Sequence, residues 1–243
     1  MDALPYLRQI SFRREDVSNP ALYPFSLPAI AGLTSLTFHP AVTFFVGENG
    51  SGKSTLLEAL AVVLGINPEG GNRNTRFNTE ATHSDLWRHL KPVKSFKRPR
   101  EWYFLRAESF YNVASYMDGL MPPEVQGYGG VSLHRQSHGE SFMAVLANKL
   151  HGQGLYILDE PEAALSPTRQ MSALVEIHRL VQAQSQFIIA THSPILMSYP
   201  NAKIMRIDAG GIEEVAYVDT EHYNVTRDFL NRHERMLSEL LTD

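Results

Sequence analysis

The segment "GENGSGKST", residues 47–55, combines glycines, one lysine and hydroxyl side chains in a spacing suited to phosphate chemistry. It satisfies the pattern G-x-x-x-x-G-K-[ST] with Gly47, Gly52, Lys53 and Ser54. Glycines allow backbone N–H groups to wrap around phosphate oxygens, and a helix that begins here presents its positive end to them. Lys53 is expected to reach the β- and γ-phosphates, and the Ser54 hydroxyl to bind Mg²⁺. The predicted binding residues of this loop are Gly47, Glu48, Asn49, Gly50, Ser51, Gly52, Lys53, Ser54 and Thr55.

Two carboxylates, Asp159 and Glu160, follow the apolar run "LYIL". Four apolar residues predict a buried strand, so the carboxylates would stand at its polar end. Asp159 is expected to hold Mg²⁺, usually through water, and Glu160 to orient and polarise an attacking water. The alternative is an ordinary turn at a strand end, with Pro161 starting the next segment. The phosphate loop in the same chain favours the catalytic interpretation.

His192 stands at the end of another apolar run, in "IIATHSP". A histidine in such a place is often a capping or core residue. If its strand neighbours the strand that ends in Asp159, however, the imidazole can hydrogen-bond the γ-phosphate or the attacking water. Lys53, Glu160 and His192 are therefore the predicted catalytic residues. The other histidines show no compact metal-binding spacing with acids, and no zinc site is predicted.

A third polar segment, "QSHGES", precedes the apolar stretch "FMAVLANKL". Ser137 and Glu140 have the S-x-x-E spacing of a capping box, which predicts a helix start. A helix start can also bind an anion, because its free N–H groups carry partial positive charge.

Strands alternate with helices along the chain, which predicts a parallel sheet with ligand sites beyond the carboxyl ends of its strands. The apolar run "AVTFFVG" predicts the strand before the phosphate loop. The helix after that loop is expected to stop at Gly65. A second helix is predicted for "PTRQMSALVEIHRLVQAQ", between the two later strands. All the residues with catalytic chemistry therefore fall at one edge of the sheet.

Composition sets broad limits on the class of protein. The chain has 243 residues, 43% of them hydrophobic, and a formal net charge of −4. That charge argues against a basic surface over the whole chain, although a local basic patch remains open. No cysteine is present, which excludes disulfides, thiolate metal sites and a cysteine nucleophile. No signal peptide or membrane span is recognisable, so the expected location is cytoplasmic, with no membrane insertion.

The four segments occur in the order of the motifs of ABC-type ATPases. The segment "GENGSGKST" resembles the Walker A motif, and "QSHGES" resembles the signature. The segment "LYILDEPEAAL" resembles the Walker B motif with its D-loop, and "IIATHSP" resembles the H-switch. The wording "DEPEAALSP" is most similar to the soluble branch with the structural-maintenance-of-chromosomes (SMC) and DNA-repair ATPases, and to small stand-alone predicted ATPases of bacteria. The resemblance runs from the first strand to the hairpin "KIMRIDAGGIEEVAYV".

This resemblance implies a fold, cofactors and a partner. The expected fold is an α/β P-loop NTPase of the ABC type, with a mostly parallel central sheet, an antiparallel β part and a small helical lobe. A single domain over residues 1–243 is predicted, with the lobe at about 70–150. ATP and Mg²⁺ are the expected cofactors, bound in a head-to-tail homodimer that forms on ATP binding.

In that dimer, Ser137, Gly139 and Glu140 would contact the γ-phosphate held by the partner's Lys53. Gly139 would let the phosphate approach closely. The signature departs from the family's usual "LSGGQ", since His138 replaces the first glycine. Ala164 to Pro167 would form the D-loop at the interface.

The expected function is Mg²⁺-dependent ATP hydrolysis that drives a conformational switch on nucleic acid or a protein effector, in repair or defence. The alternative is the ATPase subunit of an ABC transporter that works with a separate permease. Residues 88–100 carry six basic side chains and no acid, which suits nucleic-acid backbone. The competing interpretation is a solvated hairpin whose lysines protect an edge strand.

Two further predictions depend on the family. Arg106 or Glu108 would occupy the place of the Q-loop glutamine, and Tyr23 could stack on adenine or be an ordinary exposed loop residue. Independently of the family, the C-terminal segment "NVTRDFLNRHERMLSELL" has apolar residues on one helical face, which predicts packing against its own domain. The alternative is a helix that docks a partner.

Overall fold

The computed structural model describes residues 5–72, 83–107 and 136–242. Glu108 and the segment 117–130, which falls in the predicted lobe, lie outside them. The strands are β1 Leu7–Phe12, β2 Ser35–Thr37, β3 Val42–Gly47, β4 Gly71–Asn72, β5 Leu90–Lys94, β6 Glu101–Arg106, β7 Gly154–Asp159, β8 Gln186–Ala190, β9 Lys203–Asp208 and β10 Gly211–Val215. The helices are α1 Pro28–Ala31, α2 Lys53–Leu64, α3 His138–Ala144, α4 Pro167–Gln182 and α5 Glu221–Leu240.

Seven strands form the central sheet in the order β10-β9-β3-β8-β7-β6-β4. The pairs among β9, β3, β8, β7 and β6 are parallel, and β10 and β4 add antiparallel edges. β3, β7 and β8 are apolar runs that are buried on both faces, as parallel strands between two layers must be. β8 lies between β3 and β7, so the three strands bring their carboxyl ends together.

The predicted antiparallel part is a separate three-stranded sheet in the order β2-β1-β5. β1 pairs antiparallel with both neighbours, and β5 stands at one edge. Gln186 ties this sheet to the central one, since its side chain exchanges hydrogen bonds of 2.9 Å with the backbone N–H and C=O of Leu7.

Alternating side chains of the central strands enter two different cores. Phe45 of β3 points into the core that is shared with α2 and the three-stranded sheet. Phe44 points into the core that is shared with α3 and α4 on the opposite face. This is the layered arrangement of an α/β fold, and it holds the sheet edge that carries the polar residues rigidly.

Helix ends follow the sequence signals closely. α2 ends at Gly65, which has a left-handed φ of 78°, as predicted. α3 begins at Ser137 with a complete capping box, because the Ser137 side chain accepts from the Glu140 N–H while the Glu140 side chain accepts from the Ser137 N–H. The helix then continues as a π-helical turn over Val145–Lys149.

The C-terminal helix differs from its prediction. None of the residues of α5 is buried, and apolar side chains such as Leu230 and Leu240 are more than two-thirds exposed. The prediction that its apolar face packs against the domain is therefore wrong, and only the start of the helix is closely held. No helix among the described residues is long and apolar enough to cross a bilayer.

Candidate nucleotide site

The phosphate loop connects the end of β3 to the start of α2, as predicted. Gly52 precedes the helix with a left-handed φ of +100°. A Cβ atom at this position would lie 3.1 Å from the Cβ atoms of both Leu27 and Ala29. Glycine therefore serves both the backbone conformation and the close packing of α1 beneath the loop.

Lys53 is almost fully buried, with 4% of its surface exposed. Its Nζ donates hydrogen bonds to the carbonyl oxygens of Gly47 and Glu48, at 2.8 and 2.9 Å. Burial lowers the pKa of Lys53, and the nearby carboxylates of Glu160 and Asp159 oppose that shift. The ammonium group of Lys53 is thus held inside the loop by two neutral carbonyl oxygens. Phosphate oxygens can replace these carbonyl oxygens as acceptors of its hydrogen bonds.

The two predicted metal ligands meet across the gap between α2 and β7. The Ser54 hydroxyl lies 3.1 Å from a carboxylate oxygen of Asp159. Asp159 is 3% exposed, and burial raises its pKa to about 6 although Arg106 and Ser54 act in the opposite direction. A buried carboxylate beside a hydroxyl is a donor set that Mg²⁺ accepts.

Arg106 is a member of this site that the sequence indicated only as one of two Q-loop candidates. It ends β6, and its guanidinium lies 3.1 Å from Glu58 of α2 and 3.6 Å from Asp159. All three side chains are mostly buried, with exposed fractions of 22, 15 and 4%. Arg106 therefore supplies the positive charge that compensates two buried carboxylates.

Glu160 has an unusual backbone for a residue with a side chain. Its φ and ψ are 51° and 53°, in the left-handed region, which is sparsely populated and is often found where function requires it. Its N–H donates to the carbonyl of Ala190 on β8 at 3.0 Å. This turn leaves the carboxylate 43% exposed and 3.7 Å from His192 Nε2. The side chain is thus accessible to a water at the edge of the sheet.

His192 follows β8, the strand beside β7, as predicted. Its position is fixed by Glu162, whose carboxylate accepts hydrogen bonds from the Thr191 hydroxyl at 2.7 Å and from the His192 N–H. Burial raises the pKa of Glu162, and these hydrogen bonds oppose that shift. Glu162 was not predicted as a site residue, since "DEPE" on its own does not show that its second acid reaches the next strand.

The geometry fits a nucleotide phosphate group and Mg²⁺. A cleft of about 220 Å³ is lined by Tyr23, Leu27, Lys53, Ser54 and Glu160 with the rest of the loop. Within the described residues, the buried atoms His192 Nε2 and Ser51 Oγ have no hydrogen-bond partner. Four other buried atoms of the described residues, on Ser84, His89, Ser95 and Arg206, also lack a hydrogen-bond partner, and His192 Nε2 is the one that faces Glu160. Tyr23 lines this cleft and is 63% exposed, so both interpretations of it, adenine stacking and an ordinary exposed loop residue, remain open.

The predicted trans residues form a network within their own chain. The Ser137 hydroxyl lies 2.7 Å from Glu140 and 3.4 Å from the Arg169 guanidinium, which also pairs with Glu140 at 3.3 Å. A Cβ atom at Gly139 would lie 2.6 Å from the Arg169 side chain and 2.7 Å from the Ala164 carbonyl oxygen. Packing within the same chain therefore already requires glycine at position 139, so close approach of a partner's phosphate is not needed to explain it.

The basic segment 88–100 lies along β5 and the turn that follows it. Its six basic side chains are all exposed, and Phe96 between them is 72% exposed. Arg88 pairs with Asp85 at 3.3 Å, and Lys94 lies over the Trp102 ring at 5.8 Å. β5 is an edge strand of the three-stranded sheet. Both sequence interpretations of the segment remain compatible with this geometry.

Two family models match the chain, and together they span the motifs. A model described as "AAA domain" matches residues 27–110, which contain the phosphate loop. A model described as "AAA domain, putative AbiEii toxin, Type IV TA system" matches residues 124–198, which contain the signature, Asp159, Glu160 and His192. A comparison with curated proteins found no match.

Solved structures similar to this chain include an ABC transporter and two SMC head domains. A metal-chelate type ABC transporter in an inward-facing conformation is 18% identical, with a TM-score of 0.45 and 79% of each chain covered. The SMC head domain from Thermotoga maritima is 14% identical, with a TM-score of 0.45, over 86% of this chain and 98% of that one. An SMC head bound to the C-winged helix domain of ScpA is 14% identical, with a TM-score of 0.48, over 87 and 98%.

The two matched segments are similar to AAA-domain families, and the phosphate loop stands between a strand and a helix of a mostly parallel sheet. The predicted fold class and the resemblance to ABC-type ATPases are both confirmed. More particularly, the segment 124–198, which contains Ser137, Asp159, Glu160 and His192, is similar to the AAA family described with the AbiEii toxin.

Proposed function

We propose that this chain is a Mg²⁺-dependent ATPase in which residues 1–243 form a single catalytic domain with a helical lobe at about 70–150. The observation that carries the proposal is the meeting of Lys53, Ser54, Asp159, Glu160 and His192 at the carboxyl ends of β3, β7 and β8. Three segments that are widely separated in sequence thus bring a cation, a hydroxyl, two carboxylates and an imidazole to one edge of the sheet, which supports a site there.

Each residue has a separate role. ATP supplies the γ-phosphoryl group and Mg²⁺ supplies the divalent charge that neutralises it. Lys53 exchanges its two carbonyl acceptors for phosphate oxygens, while the N–H groups of residues 47–55 surround the phosphates. Ser54 and Asp159 hold the metal ion. Glu160 accepts a hydrogen bond from a water and takes up its proton as the water attacks.

His192 completes the polar edge opposite Lys53. Its Nε2 faces Glu160 at 3.7 Å and donates a hydrogen bond to the γ-phosphate or orients the water. Glu162 keeps the ring in place by holding the His192 backbone N–H. Reaction here needs no covalent intermediate, because positioning and charge compensation supply the acceleration.

A second copy of the chain would complete the site with Ser137, Gly139 and Glu140. In the single chain, Arg169 offsets the negative charge of Glu140 beside the Ser137 hydroxyl. The start of α3 thus presents a hydroxyl and free backbone N–H groups without net local repulsion of an anion. Closure of this dimer on ATP, and its opening after hydrolysis, would be the conformational switch.

Two substitutions test the ATPase proposal. Glu160→Gln should still bind Mg-ATP but lose turnover by about 10²–10⁴-fold, the usual contribution of a general base. Lys53→Ala should lose nucleotide binding or turnover. Glu239→Gln, on the exposed face of α5, is the matched control and should equal the wild type. An unchanged ATPase rate in Lys53→Ala would contradict the assignment of the phosphate loop.

The dimer is tested separately by light scattering. Glu160→Gln with Mg-ATP should shift from monomer to dimer, and the shift should be absent without nucleotide. Ser137→Ala in the same background should weaken the dimer. If only monomer is found with saturating Mg-ATP, the sandwich arrangement is wrong while the ATPase assignment can still stand.

We propose a nucleic-acid backbone as the client that contacts residues 88–100. Six exposed cations and an exposed aromatic ring between them suit phosphates and an unpaired base. Anisotropy of labelled single-stranded and duplex DNA with Glu160→Gln, with and without Mg-ATP, tests this over a salt series. Binding should weaken steeply with salt.

Charge-reversal variants test whether segment 88–100 is the surface that binds DNA. Replacing Lys94, Lys97 and Arg98 by glutamate should abolish binding, whereas Arg235→Glu on α5 should not. If no DNA binds either with or without Mg-ATP, the basic side chains of segment 88–100 would instead protect the edge strand β5 from pairing with other chains. The ATP-bound variant would then be the bait for a protein effector.

A further inference from the structure

The ring of His192 is held between two groups, one of which lies outside the recognised motifs. His192 Nδ1 is 2.9 Å from Nε2 of His222, and the ring centroids are 5.0 Å apart with an interplanar angle of 56°. On its other side, His192 Nε2 faces Glu160 at 3.7 Å. His222, His192 and Glu160 therefore form a continuous polar line from α5 to the proposed catalytic carboxylate.

His222 is placed by the first turn of α5, the part of that helix which is held against the domain. The Tyr217 hydroxyl donates to the Pro194 carbonyl at 2.9 Å. Thr220, just before the helix, is fully buried, and its hydroxyl lies 3.5 Å from the Met197 sulfur. Both anchors attach the helix start to the residues that follow His192. No residue of α5 is buried. The contacts of Tyr217 and Thr220 therefore fix the position of the first turn of the helix.

A hydrogen bond between two neutral imidazoles needs one ring to donate and the other to accept. If His192 donated from Nδ1, its Nε2 would carry a lone pair toward the Glu160 carboxylate, and two acceptors would face each other. If His222 donates from Nε2, His192 keeps its proton on Nε2, where it faces the carboxylate and any phosphate beside it. Electrostatics therefore favours the second arrangement.

We propose that His222 is a positioning residue that donates to His192 Nδ1 and thereby fixes His192 in the Nε2–H tautomer. The inference rests on the proposed function of the site and adds to it a residue that no motif contains. It is the analogue, on a histidine pair, of the partner that orients an imidazole in a metal site or a catalytic triad.

The charges around the pair favour neutral rings. Burial lowers the pKa of His192, and Lys53 and His222 lower it further, against Glu160 and Glu48. Burial also lowers the pKa of His222, with Lys53 in the same direction and Glu221 and Glu48 opposed. At pH 7.5 each ring therefore carries one proton, which is the condition that the tautomer argument requires.

The direct test is NMR of the nucleotide-free protein with ¹⁵N-labelled histidine. Couplings between ring nitrogens and ring protons distinguish a protonated Nε2 from a protonated Nδ1. His192→Gln and His222→Met identify the two spin systems among the ten histidines of the chain. We expect His192 as the Nε2–H tautomer in the wild type, and a mixture of tautomers in His222→Met.

The matched variant is His222→Gln, whose side-chain N–H groups can replace the donor, whereas Met has a similar length and no donor. His222→Gln should keep the wild-type spectrum of His192. Turnover should fall about five-fold in His222→Met, the rate equivalent of about 1 kcal/mol for one neutral hydrogen bond, and recover in His222→Gln. The KM for ATP should change little in either.

The outcomes separate the inference from the proposed function. A His192 that is protonated on Nδ1, or that keeps its tautomer in His222→Met, overturns the role of His222 whatever the ATPase rate. The expected spectra in a protein that does not hydrolyse ATP would leave the histidine pairing intact and remove the proposed function instead.

Discussion

Removal of Arg106 should destabilise the protein through the charges that it leaves behind. Its guanidinium lies 3.1 Å from Glu58 and 3.6 Å from Asp159, and the three side chains are 22, 15 and 4% exposed. Burial already raises the pKa of both carboxyl groups while Arg106 is present. In Arg106→Met, Glu58 and Asp159 remain buried but lose the positive charge that stabilises their ionised forms most.

The size of the effect follows from this burial. Breaking a buried pair by removal of one partner costs about 3–5 kcal/mol, and the partial exposure of Arg106 places the expected loss near the lower value, about 3 kcal/mol. For a chain of this length each kcal/mol corresponds to about 2–4 °C in Tm. The expected fall in Tm is therefore about 6–12 °C.

The assay is thermal unfolding and urea unfolding in chelator without nucleotide, so that only the charges of the protein contribute. Arg88→Met is the matched control, because the Arg88 pair with Asp85 is about two-thirds exposed on both sides. Such surface pairs contribute about 0–1 kcal/mol. The double variant Arg106→Met with Glu58→Gln should recover part of the loss. If Arg106→Met and Arg88→Met melt within about 2 °C of each other, a difference of no more than about 1 kcal/mol, the reasoning from buried charge is refuted.

Three other substitutions test the remaining contacts. Gly139→Ala should destabilise the nucleotide-free monomer by about 1–3 kcal/mol in urea unfolding, because its Cβ meets the Ala164 carbonyl; equal stability would show that the packing can relax. Glu162→Gln should retain nucleotide binding by equilibrium titration and lose turnover several-fold, since it weakens the support of His192; a wild-type rate would exclude that support. The lowered pKa of His192 means that the unfolded chain takes up protons more readily as pH falls through about 6.5. Stability of the wild type should therefore drop from pH 7.5 to 5.5 by more than that of His192→Gln, as measured by urea unfolding at both values, and parallel curves would contradict the shift.

Much of the proposed site could be predicted because its polar residues lie in short segments with recognisable local patterns. Lys53 and Ser54 follow a strand and start a helix, and Asp159 ends an apolar run, so local patterns locate them. The neighbouring position of the His192 strand followed from the alternation of strands and helices. The capping box at Ser137 is also local, since two residues three positions apart, Ser137 and Glu140, determine it.

The parts that could not be predicted are contacts between distant segments. Arg106 meets Glu58 and Asp159 only because β6 lies beside β7, and a lone arginine carries no sign of that pairing. His222 reaches His192 because a short turn after β10 returns the chain to the same edge. The prediction for α5 also failed for this reason. The spacing of its apolar residues indicates a helix, but it does not show whether another part of the chain packs against that face.

The order of strands in the sheet has a consequence for synthesis of the protein. β3 is flanked by β8 and β9, and its first residues pair with Phe187 and Lys203. During translation the phosphate loop therefore emerges long before either neighbour of its strand exists, and long-range parallel pairing is a slow step in folding. Until then β3 presents two open edges that can pair with other chains. The ability to bind nucleotide would thus be acquired late, only after β9, Lys203–Asp208, has left the ribosome.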